Sequence, residues 1–71
     1  MKYVFVIEKG PTSYGATVPD LPGCVAVAET LEELGTLIRE AIDFHIEGLL
    51  QNWQPVPPPT TICEYVETQA A

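Results

Sequence analysis

Seventy-one residues, 46% of them apolar, suffice for one packed domain, while three basic against ten acidic residues and a net charge of −7 weigh against direct binding of a phosphate backbone. A chain this short buries only about 60% of the surface its unfolded form exposes, so a partner or a second copy is expected. No stretch reaches the roughly 18 consecutive apolar residues of a membrane span, and Met1 leads straight into a strand pattern without the layout of a signal peptide. Cys24 and Cys63 have no second cysteine or histidine at ligand spacing, which argues against a zinc site or redox pair and for two buried thiols in a cytoplasmic protein.

In chain order, KYVFVIE (residues 2–8) sets Tyr3, Phe5 and Ile7 on one side and Val4 and Val6 on the other. Apolar residues on both faces predict a central strand covered twice. Gly10 and Pro11 turn the chain into YGATVP, a second strand over 14–18 at hairpin spacing. In PDLPG, Pro19 and Pro22 restrict the backbone and Gly23 accommodates a positive φ, a stiff reversal into a third strand over 24–28. The small side chains of Gly15, Ala26 and Ala28 leave room for a helix to lie close to the sheet.

Thr30 followed three residues later by Glu33 is a capping-box pattern that opens a helix over 31–50. Steps of 100° place Leu31, Leu34, Ile38, Ala41, Ile42, His45 and Leu49 on one stripe and Glu32, Thr36, Arg39, Glu40, Asp43 and Glu47 opposite, with Leu37 and Phe44 at the flank. Gly48 predicts a last turn that frays or stops. The proline-rich linker over 54–59 ends any helix, and TTICEYVET predicts a fourth strand over 60–67 before a loose QAA tail.

A strand-helix-strand connection is right-handed, which places the fourth strand parallel to the first. The expected fold is α+β: β-β-β-α-β, a three-stranded antiparallel meander plus the fourth strand, sheet order 3-2-1-4, with the long helix on one face. The other face keeps Val4 and Val6, so self-association through it or through an edge strand is expected, with Leu37, Phe44 and Trp53 as further candidate contact residues. Trp53 itself either closes the core or anchors a partner.

That topology resembles part of the ribonuclease H core, in which a metal-dependent nuclease needs several carboxylates converging on two ions. Here Glu8 stands only at the end of the first strand, the helix acids point away from the core stripe, and Glu64 alone is no site, so nuclease activity is a remote alternative. His45 lies in the apolar stripe with no nucleophile beside it and reads as a half-buried histidine. Tyr14 and Tyr65 read as strand-packing residues. No catalytic, metal or cofactor residue is assigned, and the chain is not expected to be an enzyme.

The acids tell more. Glu29, Glu32 and Glu33 crowd the amino end of the helix, where the macrodipole favours negative charge by about 0.3 to 1 kcal/mol each. Glu40, Asp43 and Glu47 continue the acidic side for two more turns with only Arg39 to offset them, although neighbours at this spacing repel. These six carboxylates are the candidate surface for a basic protein partner.

The run YGATVPDLPGCVAVAETLEEL, followed by IREAIDFHIEGLLQNWQPVPPP and a closing strand, resembles the HicB-like antitoxins over nearly the whole chain. The resemblance implies a degraded ribonuclease H fold without catalysis, acting as the neutralising half of a bacterial type II toxin-antitoxin pair. The implied partner is a small basic HicA-type mRNA interferase, blocked by occlusion of its RNA-binding and active surface, a role that charge complementarity suits. Many members of the family carry a carboxy-terminal helix-turn-helix or ribbon-helix-helix domain that binds DNA. This sequence closes at ETQAA, so a single domain over 1–71 without that module is expected, as a homodimer or higher homo-oligomer with no direct nucleic-acid or membrane binding. The alternative is a self-associating structural or regulatory domain without a toxin.

Overall fold

A computed structural model of the chain describes residues 1–70. Three short strands, β1 (Val6–Lys9), β2 (Tyr14–Thr17) and β3 (Val25–Ala28), precede one helix, α1 (Leu31–Gln51). The strands form an antiparallel sheet in the order β1-β2-β3, with Ile7 opposite Ala16 and Ala16 opposite Ala26. Alternation then puts Ile7, Ala16 and Ala26 on the face that α1 covers and Val6, Thr17 and Val25 on the face it leaves open.

Each connection follows from local chemistry. At the first hairpin the Gly10 amide donates to the Ser13 carbonyl at 2.8 Å. The second reversal closes with the Leu21 amide on the Val18 carbonyl at 3.1 Å and the Cys24 amide on the Leu21 carbonyl at 3.0 Å. Gly23 takes φ 85° there, a conformation that penalises any side chain. This loop folds inward: Leu21 is fully buried, and with Ala16, Val18, Cys24, Ala28, Leu34 and Ile38 it makes the core. The alanines of β2 and β3 present little bulk, so α1 settles close to the sheet, and Tyr14, Leu37, Ala41, Ile42 and Ile46 pack around the centre.

Thr30 caps α1 in an extended conformation, its Oγ1 accepting from the Glu33 amide at 3.1 Å. Only this half of the capping box is made among the described residues. Gly48 does not stop the helix, since Asn52 donates to the Gly48 carbonyl from both its backbone and its side chain and the helix reaches Gln51. Beyond Asn52 the Trp53 amide donates to the Leu50 carbonyl at 3.2 Å and the Gln54 amide to the Leu49 carbonyl at 2.9 Å. That pair of bonds is a Schellman motif, whose pivot residue must adopt the left-handed region. Trp53 is that pivot, at φ 56°.

Two expectations are corrected. The first strand is shorter than 2–8 and forms an edge of the sheet rather than its centre, with Val6 and Ile7 exposed. No fourth strand occurs over 60–67 among the described residues. The cause lies in where the chain is held after the helix. Proline at 55, 57, 58 and 59 supplies no amide for a ladder. The Tyr3 hydroxyl donates to the Pro57 carbonyl at 2.6 Å. The Asp20 carboxylate, in the β2–β3 turn, then accepts from the amides of Thr60 and Thr61 at 3.1 and 3.0 Å and from their hydroxyls at 3.1 and 2.8 Å. Clamped at that turn, the segment runs on without meeting the edge of β1.

Candidate functional site

The acidic face exists as a surface. Helix α1 carries five acids and one arginine, and Glu32, Glu33, Glu40, Asp43 and Glu47 are all exposed, as is Glu29 just before the cap. Glu33, Glu40 and Glu47 stand seven residues apart, so they form one row along the outward side with about 10.5 Å between successive positions. Asp43 lies beside that row. Glu32 and Asp43 share the rim of a groove with Arg39, whereas Glu29 and Glu33 line a second depression with Thr12, Ser13 and Val27. The six candidate acids are thus a ridge with two shoulders rather than one cluster.

Glu32 and Glu33 have a structural reason to be in the first turn, where the helix dipole and unpaired amides favour negative charge. Glu40, Asp43 and Glu47 have none: Glu40 and Asp43 repel at i,i+3, Asp43 and Glu47 at i,i+4, and the last turn contains no basic residue. Among the described residues Glu47 accepts one bond, from the Gln51 Nε2 at 3.4 Å.

The candidate self-association residues divide among different surfaces. Val6 lies on the open sheet face beside Val25 and Val27, all exposed, two of which sequence reasoning did not single out. Val4, just before β1, is half-buried. Leu37 packs partly against the core, while Phe44 is exposed on the helix layer. Trp53 is 95% exposed, so it does not close the core. A bulky residue in the left-handed region is a costly choice unless something outside the fold uses the side chain.

The remaining chemistry-bearing residues are dispersed. His45 is half-buried, and Glu64 is exposed rather than inward-facing. Burial pushes the Cys24 thiol up from its ordinary range, whereas Cys63 is exposed, which corrects the expectation of two buried thiols. Tyr14 packs against the core but Tyr65 is fully exposed and packs on no strand. Among the described residues no three His, Cys, Asp or Glu side chains are grouped to hold a metal ion, and no helix is long and apolar enough to cross a membrane. Asp20, missed in the sequence, is the most heavily bonded carboxylate; the Thr61 amide bond first, and then the other Thr60 and Thr61 donors, hold its carboxyl below the usual value.

A sequence model of the family described as "HicB_like antitoxin of bacterial toxin-antitoxin system" matches residues 3–70. An uncharacterised 14.9 kDa protein from the rep-hol intergenic region of Haemophilus phage HP1 is 41% identical over 66 residues, 93% of this chain but 50% of the phage protein. The chain therefore spans about half the length of that relative. A UPF0150 protein of Archaeoglobus fulgidus is 44% identical over 66% of this chain and 70% of its own length. Among solved structures, a chain of a HicA3 and HicB3 toxin-antitoxin complex superposes with a TM-score of 0.73 at 30% identity, over 83% of this chain and 70% of that one.

Proposed function

The chain belongs to the HicB-like antitoxins of bacterial toxin-antitoxin systems, and from that premise we propose that it neutralises a small basic HicA-type mRNA interferase by laying the acidic side of α1 over the toxin's RNA-binding surface. The observation that carries this reading is the placement of Glu40, Asp43 and Glu47. They are exposed, mutually repelling and unexplained by the helix that bears them. A surface built to mimic a phosphate row is repaid only when a cationic partner sits on it, where opposite potentials accelerate encounter and exclude the competing RNA backbone. The solved relative's membership of a HicA3 and HicB3 complex supports the same choice of partner.

In this reading the protein acts by coverage, with Glu29, Glu32 and Glu33 extending the anionic surface toward β3 and the complex working in the cytoplasm, where the toxin meets its RNA. Family membership sets the chain among regulatory antitoxins rather than enzymes. Co-expression tests it: the toxin alone should arrest growth, and the pair should restore growth and copurify. Normal growth with the toxin alone, or failure to copurify, contradicts the proposal.

A second surface accompanies the first. The exposed valines Val6, Val25 and Val27 lie on the open sheet face, an apolar surface of the kind that marks an interaction site, while Phe44 and Trp53 are exposed on the helix layer and Val4 and Leu37 are half-buried. We assign these residues to self-association of the antitoxin. Sedimentation should show an oligomer in the absence of toxin.

A further inference from the structure

Residues 62–67 have the composition of a strand but join no sheet among the described residues. Ile62, Tyr65 and Val66 are 84%, 100% and 85% exposed, although TICEYVE is rich in the β-branched and aromatic residues that suit a pleated, half-buried surface. The segment does not fold back on its own domain. The radius of gyration is 14.2 Å, against the roughly 11 Å of a compact chain of this length, and the longest dimension is 49 Å beside 27 and 16 Å. Its base is nevertheless fixed, since the Tyr3 hydroxyl and the Asp20 carboxylate hold Pro57, Thr60 and Thr61 at the end of the sheet where β1 begins.

The matching vacancy is on β1. Its side away from β2 has no partner strand among the described residues. Next to the start of β1 an open groove of about 640 Å³ runs between the segment that leads into that strand and α1, walled by Tyr3, Phe5, Ile38 and Ile42, with Lys2 and Arg39 beside Glu32 and Asp43 in its polar lining. Natural edge strands are blunted, covered or paired, and a bare edge next to an apolar groove invites an added strand. Lys9 at the end of β1 and Lys2 in the segment before it are two of the three basic residues in the chain, and the projecting segment carries Glu64 and Glu67 that could pair with them.

We propose that residues 62–68 of one copy pair beside β1 of a second copy and cover its groove, with the exchange reciprocal, so that each chain receives from the other the fourth strand it does not form itself. A second copy is the fitting occupant because the same molecule displays both the free strand and the free edge, and a two-fold exchange satisfies both at once. The inference rests on the self-association reading above and names the device; it is independent of the toxin.

The test is sedimentation equilibrium of the full chain, with amide hydrogen exchange read over a concentration series, for wild type, Val66→Pro and Val66→Asp. Both substitutions fall on a side chain that packs against nothing in its own domain, so far-UV circular dichroism of the dilute protein should be unchanged. Wild type should dimerise, with protection of residues 62–68 and of the β1 amides rising together with concentration. Either variant should raise the dimer dissociation constant at least tenfold and remove both protections. A dimer that withstands both variants overturns the strand exchange while leaving self-association through the valine face intact. A wild-type monomer at all concentrations, whether its carboxy-terminal amides are protected or not, overturns both.

Discussion

Replacing Trp53 with glycine should make the isolated domain more stable while weakening what it binds. Trp53 occupies the pivot of the Schellman motif at φ 56°, a conformation that costs an L-residue about 1 to 2 kcal/mol. With the side chain 95% exposed, almost no buried contact is lost on removing it. Against the gain stands the greater freedom of glycine in the unfolded chain, worth about 0.5 to 1 kcal/mol. The balance is a stabilisation of between about 0 and 1.5 kcal/mol, which for a domain of this length raises the melting temperature by about 4 to 8 °C per kcal/mol. Thermal unfolding followed by circular dichroism in dilute solution reads it, because dilution removes the stabilisation that association would add. The same variant should shift sedimentation toward monomer. A Trp53→Gly protein that loses about 1 kcal/mol or more when dilute would show that the indole is held by its own domain, and the argument from strain to an external contact would fail.

Three further outcomes are expected. The triple change Glu40→Gln, Asp43→Asn, Glu47→Gln takes the net charge from −7 to −4 and relieves two like-charge pairs worth about 0.2 to 0.5 kcal/mol each. Urea unfolding at low salt should therefore show equal or slightly raised stability, and a clear loss would make these acids structural. Thr30→Ala removes the acceptor of the Glu33 amide and should lower stability by about 1 kcal/mol in the same assay. The Asp20 clamp contributes fully above the ordinary value near 3.8 and fades as pH falls through its lower folded value, because the carboxyl is held down by its Thr60 and Thr61 donors. The amide shifts of Thr60 and Thr61 should titrate with a midpoint below 3.8, and Asp20→Asn should release both amides at neutral pH; an unshifted midpoint would contradict the clamp.

The readable parts of the fold were those whose causes are local. Thr30 and Glu33 announced the helix start, and Leu34, Ile38 and Ala41 its buried side; Ile46 escaped notice because it lies beyond the edge of the stripe drawn through His45 and Leu49, next to Ile42. The β2–β3 reversal was visible in Pro19, Pro22 and Gly23, but not the burial of Leu21, which depends on the loop folding under the sheet. KYVFVIE looks the same whether its faces are covered by its own chain or by another, and that ambiguity turned an edge strand into an expected centre. TTICEYVET was read as a strand for sound compositional reasons, yet its placement depends on Asp20, forty residues earlier in the chain, through bonds that no periodicity encodes. Trp53 gave no warning of its backbone, since the left-handed pivot of a helix end is signalled by glycine or asparagine. Of the site, the acidic side through Glu40, Asp43 and Glu47 followed from spacing alone, while the row that joins Glu33 to Glu40 and Glu47 and the split of the acids between two shoulders required the structure.

The central claim is tested most directly by the affinity of the purified protein for a HicA-type toxin across a salt series, with wild type beside Glu40→Lys, Asp43→Lys, Glu47→Lys. That triple reversal moves the net charge from −7 to −1, two units per residue. The account predicts tight wild-type binding that weakens steadily as salt screens the two surfaces, and binding by the reversed protein that is at least tenfold weaker at low salt with the fold unchanged. Equal affinity of the two proteins at low salt, or wild-type affinity indifferent to salt, would contradict it.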